Sequence, residues 1–165
     1  MRADVTPLVS PLDGTLFGEG QPCFGCSPDH PFGFRLRFTV DGDAVVTRFL
    51  PTVRHQGPPG LMHGGLVSTV ADETAAWAVL ASTGKFGFTT GFAAKLLKGV
   101  RVGQEAQARG QVTKPGSRVA RVGVTVSQAG EDCFTGDFTF ALLDRGGAEK
   151  LLGGPLPEEW VRFCR

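Results

Sequence analysis

Between two glycine signals, Gly64-Gly65 and Gly84, the chain runs through mostly small and apolar residues. Leu66, Val67, Val70, Ala71, Thr74, Trp77, Ala78 and Leu80 recur at helical spacing, enough for a helix of about five turns. Apolar residues surround much of that helix, and a helix hydrophobic nearly all round has to be buried. The rest of the chain must therefore wrap it. Two features of the run cost stability and call for a reason. The glycine pair after His63 stands at the helix start, where nothing in helix formation obliges it. Asp72 stands in the middle of the apolar surface, with Glu73 beside it.

What surrounds the helix reads as strand. Residues 34–40 alternate apolar and polar, Asp41-Gly42 is a two-residue turn signal, and residues 44–49 form the second arm of a hairpin. Gly57-Pro58-Pro59-Gly60 then stops the strand. After the helix, residues 86–97, 105–113, 119–128 and 133–143 alternate or are rich in β-formers, and turn signals at Lys98-Gly99, Val102-Gly103, Pro115-Gly116 and Ala129-Gly130 separate them. The order predicts two strands, one long buried helix and four strands in a meander. This is an α+β fold whose antiparallel sheet has about five to six strands. Its open edges invite pairing with a second copy. Residues 1–33 carry five prolines and five glycines and read as an irregular arm, with a short helix near 5–13. From Gly153-Gly154-Pro155 onward the tail reads as loop followed by one helical turn.

With 165 residues the chain is expected to be one domain, 1–165, large enough to bury a core without disulfides. Seventeen basic against 16 acidic residues leave no face obliged to be strongly basic, so nucleic acid is not an expected partner. No uncharged apolar run is long enough to span a bilayer, and Met1-Arg2-Ala3-Asp4 opens no signal peptide, so a cytoplasmic protein without membrane contact is expected. Cys23, Cys26, Cys133 and Cys164 are too few for a disulfide scaffold. Cys23 and Cys26 make a single CxxC; a zinc site would need two more ligands, and His30 is the only nearby candidate. No metal and no cofactor are expected. Tyrosine is absent, which excludes a tyrosine general acid.

The stretch Gly57-Pro58-Pro59-Gly60-Leu61-Met62-His63-Gly64-Gly65, followed by Asp72-Glu73-Thr74, resembles the hotdog-fold acyl-CoA thioesterases. The branch it is most similar to holds the phenylacetate-pathway and 4-hydroxybenzoyl-CoA thioesterases. The upstream run from Cys23 to Gly33 is similar to a loop found before the first strand in many members, and the resemblance extends over residues 22–143. It implies a hotdog fold, an acyl-CoA substrate, and a homodimer or homotetramer. It implies that the Gly64 backbone N–H donates to the thioester oxygen, and that Asp72, nine positions after His63, is the catalytic carboxylate. Thr89 falls where a hydroxyl orients water or the carboxylate. His63 joins the catalytic set as the residue that holds the loop. Gln56 matches a polar contact before the histidine, although Gly57 or His55 could align there instead. Gly65, Glu73, Thr90 and Arg118 complete the implied substrate contacts, and the turn 114–118 falls where some members touch the CoA nucleotide.

The chemistry suits those residues. Thioester hydrolysis needs a donor for a developing oxyanion and a base or nucleophile. A helix N-terminus supplies free N–H groups and the positive end of a dipole, and glycine lets a carbonyl approach them. Asp72 can act on water or attack the carbonyl itself. Glu73 points about 100° away from Asp72, so only one of them faces a given site. Gly64 and Asp72 are eight residues apart, about 12 Å along one helix, too far to meet one thioester. Either this assignment fails or the two groups come from different copies, so the reading requires a dimer in which each site is composed of one copy's helix tip and the other's acid. A non-catalytic acyl-CoA-binding sensor and a hotdog hydratase or dehydratase are the competing functions; a binder has no need of an acid beside the thioester.

Overall fold

The computed structural model describes residues 12–165. The expected short helix near residues 5–13 lies almost entirely outside them. One helix, α1 (Gly64–Thr83), lies across an antiparallel sheet of six strands: β1 (Thr39–Asp41), β2 (Ala44–Phe49), β3 (Gly87–Leu96), β4 (Ala106–Lys114), β5 (Val119–Gln128) and β6 (Glu131–Leu142). Two short helices follow, α2 (Arg145–Leu152) and α3 (Glu158–Val161). The expected sheet around one long helix is present.

The sheet builds its half of the core by alternation. Ala120, Val122, Val124 and Val126 of β5, and Phe134, Phe138 and Phe140 of β6, are buried on the face toward α1. Burial of each such phenylalanine contributes about 1.5–3 kcal/mol. From the helix come Val67, Val70, Ala71, Ala75, Ala78 and Val79. Small residues let the layers close: a Cβ on Gly110 of β4 would stand 3.2 Å from the Thr74 carbonyl oxygen. The helix is buried on this face and on its arm side, while Ser68, Asp72 and Ala76 remain half-buried.

The strand order is β1-β2-β4-β5-β6-β3, so the expected four-strand meander holds only for β4, β5 and β6. β3 leaves the helix and pairs with β6 at the far edge. The segment from Leu97 to Glu105 then recrosses the ends of β6 and β5 to reach β4. Gln128 ties it down: its side-chain oxygen accepts from Arg101 N at 2.8 Å, and its amide donates to the carbonyls of Arg101 and Gln104. Periodicity reports each strand but not which neighbour it takes. The first hairpin strand is also shorter than expected, because Arg35 adopts a positive φ of 54° and the chain enters the sheet only at Phe38, bridged to Leu12. Arm and tail meet over the C-terminal half of α1: Phe17 packs on Trp77, Phe86, Trp160 and Phe163, and Phe38 stacks on Trp77.

Candidate functional site

The loop before α1 folds onto the helix tip. Gln56 Oε1 accepts from Gly60 N at 3.1 Å, and Gly57 N donates to the Leu61 carbonyl. Gly57 packs so close to His63 that a Cβ would lie 3.0 Å from its Cα. His63 is the N-cap: its Nδ1 accepts from Gly65 N at 3.0 Å, and its carbonyl takes Leu66 and Val67. That leaves the two glycines in different states. The Gly65 N–H is consumed by the cap. The Gly64 N–H has no partner among the hydrogen bonds of the described residues, and it stands at the positive end of a 20-residue helix. A Cβ on Gly64 would lie 2.7 Å from Leu96 Cδ2, so the tip adjoins the last residue of β3. A groove of about 300 Å³ opens there, lined by Met62, Gly64, Val67, Leu96, Leu97 and Cys133.

Two turns along, Asp72 faces the other end of the same strand. Thr89 Oγ1 donates to Asp72 Oδ1 at 2.7 Å. Burial pushes the Asp72 carboxyl above its usual range, and the Thr89 hydroxyl pulls it partly back. One carboxylate oxygen is thereby fixed against the sheet. A bulge between Thr89 and Gly91 skips one residue, so Thr89, Phe92, Ala94 and Leu96 share the face toward the helix. That face is under-covered: Phe92 is 54 % exposed and Leu96 58 %. β3 is an edge strand with its outer backbone unpaired among the described residues.

The remaining expected site residues separate. Thr90 sits in the bulge, exposed, and its hydroxyl donates to the Thr139 carbonyl rather than meeting Asp72. Gln56 lends its oxygen to the loop. Arg118 is exposed on the β4–β5 turn, and its strand neighbour Val119 pairs with Ala141, which pairs with Phe88; the turn therefore flanks the Asp72 end of β3, two strands over. Glu73 leaves the site altogether. It turns under the arm, where its Oε1 accepts from Trp77 Nε1 at 3.2 Å and lies 3.5 Å from Cys23 Sγ. Leu96, which bounds the helix tip, escaped the sequence reading because a leucine in a strand carries no signal of its own.

The family model for the thioesterase superfamily matches residues 59–134, the span from the helix-tip loop to β6, in keeping with the resemblance read from the motif. No curated protein matches the chain. Among solved structures it is similar to zebrafish thioesterase superfamily member 2, at 22% identity over 70% of this chain and 89% of that one, with a TM-score of 0.63. A hypothetical thioesterase from Streptococcus pneumoniae with coenzyme A aligns at 19% identity over 65% and 87%, TM-score 0.61. A Haemophilus influenzae thioesterase aligns at 19% identity over 67% and 79%, TM-score 0.61. At these identities the likeness establishes the fold.

Proposed function

We propose that this chain, which carries the hotdog fold of the thioesterase superfamily, hydrolyses an acyl-CoA thioester to a carboxylic acid and free CoA at a site shared by two copies. The observation that carries the reading is the division of labour along β3. The half-buried Asp72 carboxylate hangs at the Thr89 end of this strand, and the unpartnered Gly64 N–H stands at its Leu96 end. With the bulge counted as one skipped position, Thr89 and Leu96 are symmetric about Ala93. Antiparallel pairing of β3 with its own copy, two-fold at Ala93, brings Asp72 beside Gly64 of the partner subunit and covers the exposed Phe92 and Leu96.

In such a site Asp72 either draws a proton from the attacking water or attacks the thioester carbon itself. In both cases the carbonyl electron pair moves onto oxygen, where Gly64 of the partner subunit donates its N–H, and the C–S bond then breaks to release CoA thiolate, which takes up the proton drawn from water or one from solvent; where Asp72 itself attacks, a water then hydrolyses the acyl-aspartyl anhydride to the carboxylic acid and restores the carboxylate. A donor of this kind is worth about 2.7–4 kcal/mol of barrier. The groove at the helix tip is of a size and apolarity suited to the chain adjoining the thioester. That the pneumococcal structure holds coenzyme A supports CoA as the carrier. The exposed Lys114 and Arg118 at the β4–β5 turn suit its phosphates.

The test is thiol release over a panel of short, long and aromatic acyl-CoAs. Asp72→Asn is expected to lower kcat by about 10²–10⁴-fold while substrate still binds. Tight binding with no thiol released from any panel member by the unaltered chain would instead identify an acyl-CoA sensor.

A further inference from the structure

On the arm side of α1 a second, smaller pocket of about 140 Å³ is lined by Phe17, Gln21, Cys23, Cys26, Glu73 and Trp77, among others. The Cys23-Phe24-Gly25-Cys26 turn folds onto it. Cys23 Sγ lies 3.0 Å from Cys26 Sγ and 3.5 Å from Glu73 Oε1, and the three groups' ligand atoms all fall within 4.8 Å of one another. The turn is built around that convergence. Cys26 N donates to Cys23 Sγ at 3.3 Å, and the Gly25 backbone also hydrogen-bonds to the same sulfur. A Cβ on Gly25 would lie 2.5 Å from Glu73 Cδ and Oε2, so only glycine admits the loop this close to the carboxylate. Trp77 Nε1–H holds Glu73 from the other side. The Gln21 side-chain oxygen accepts from Cys23 N, while its Nε2 is the one buried side-chain nitrogen or oxygen without a partner among the described residues.

We infer that Cys23, Cys26 and Glu73 bind a borderline-soft divalent cation of the zinc class, with two thiolates and one carboxylate as ligands and a fourth position facing the pocket. Binding releases the two thiol protons to solvent and forms two metal–sulfur bonds and one metal–oxygen bond. In tetrahedral zinc geometry two thiolate ligands stand ~3.8 Å apart, so the sulfurs part by less than about 1 Å. Closing to a disulfide would need about the same movement inward. Glu73 decides between the two. A disulfide is neutral and gives no reason for an adjacent carboxylate, which would then stay under apolar cover with no Lys or Arg paired to it among the described residues. A cation is its natural complement. This departs from the sequence expectation, which counted only His30 as a further ligand. His30 instead accepts from Phe32 N and packs on Phe24, and the third ligand comes from the helix, 47 residues beyond Cys26.

The whole 165-residue chain, reduced and stripped of metal, is titrated with Co²⁺ and then Zn²⁺. One Co²⁺ per chain is expected, with an intense sulfur-to-cobalt charge-transfer band that Zn²⁺ abolishes. Cys23→Ser and Cys26→Ser should lose the band, and Glu73→Gln should weaken affinity by at least about tenfold. Because those variants change a packed turn, the unaltered chain supplies an independent reading: Zn²⁺ should slow alkylation of Cys23 and Cys26, followed by peptide mass, and leave Cys133 and Cys164 at their metal-free rates. Absence of the band, absence of selective protection, or unchanged affinity in Glu73→Gln would each overturn the assignment.

Discussion

Asp72 and Glu73 are neighbours with opposite surroundings. Asp72 meets a hydroxyl on an open edge strand, and Glu73 meets two thiols and an indole under a closed arm. The helix sets this divergence, since successive side chains point about 100° apart. Asp72 and the glycine pair were legible in the sequence because each breaks the local rule of an apolar helix. Glu73's partners were not, because nothing in a one-dimensional spacing ties a CxxC to a glutamate on a distant helix. Gly64 offers the cleanest chemical probe. It is the first helical residue, where proline is well tolerated, and His63 before it already has the extended backbone that proline requires. Gly64→Pro therefore deletes one N–H at a position compatible with the helix, where an added Cβ would meet the flexible tip of Leu96. We expect kcat to fall about 10²–10³-fold with the circular dichroism of the helix retained. Thr89→Ala, which frees the Asp72 carboxylate, should cost about tenfold in kcat and leave KM close to its original value.

Five of the six strands came through from sequence with small errors at their ends, since alternation follows burial directly, and residues 119–128 match β5 end for end, whereas the first, expected over 34–40, starts only at Thr39. Two elements did not. The position of β3 depends on a crossover held by Gln128, a polar side chain whose three bonds reach a segment 24 to 27 residues away. The helix α2 carries Gly146 and Gly147 in its first turn, residues that argue against a helix, and forms because Asp144 caps it, accepting from Gly147 N at 2.8 Å, and Ala148 packs beneath it. For β3 the register makes a firm prediction. Ala93 pairs with the exposed Asp137 on the outer face, and at the two-fold it would face its own copy across the ~5 Å typical of paired strand residues. Ala93→Cys should therefore yield a covalent dimer under mild oxidation, seen on a non-reducing gel, and the unaltered chain should not.

At the scale of the molecule, arm and tail close over one end of α1 while its other end and the edge strand stay open. The sequence anticipated an irregular arm but not its purpose as a cover, because the aromatic contacts that fasten it join Phe17 to Trp160 and Phe163 at the far end of the chain. The open end has a genetic corollary. On the proposed shared site, a chain lacking only its acid and a chain lacking only its tip N–H are each expected to be inactive alone. Mixed in equal amounts and allowed to exchange, half of all pairs unite one of each; in those, one pocket inherits both lesions and the other inherits neither. Co-refolded Asp72→Asn and Gly64→Pro should thus recover about a quarter of the original turnover, and two defective alleles would rescue one another in a cell that carries both.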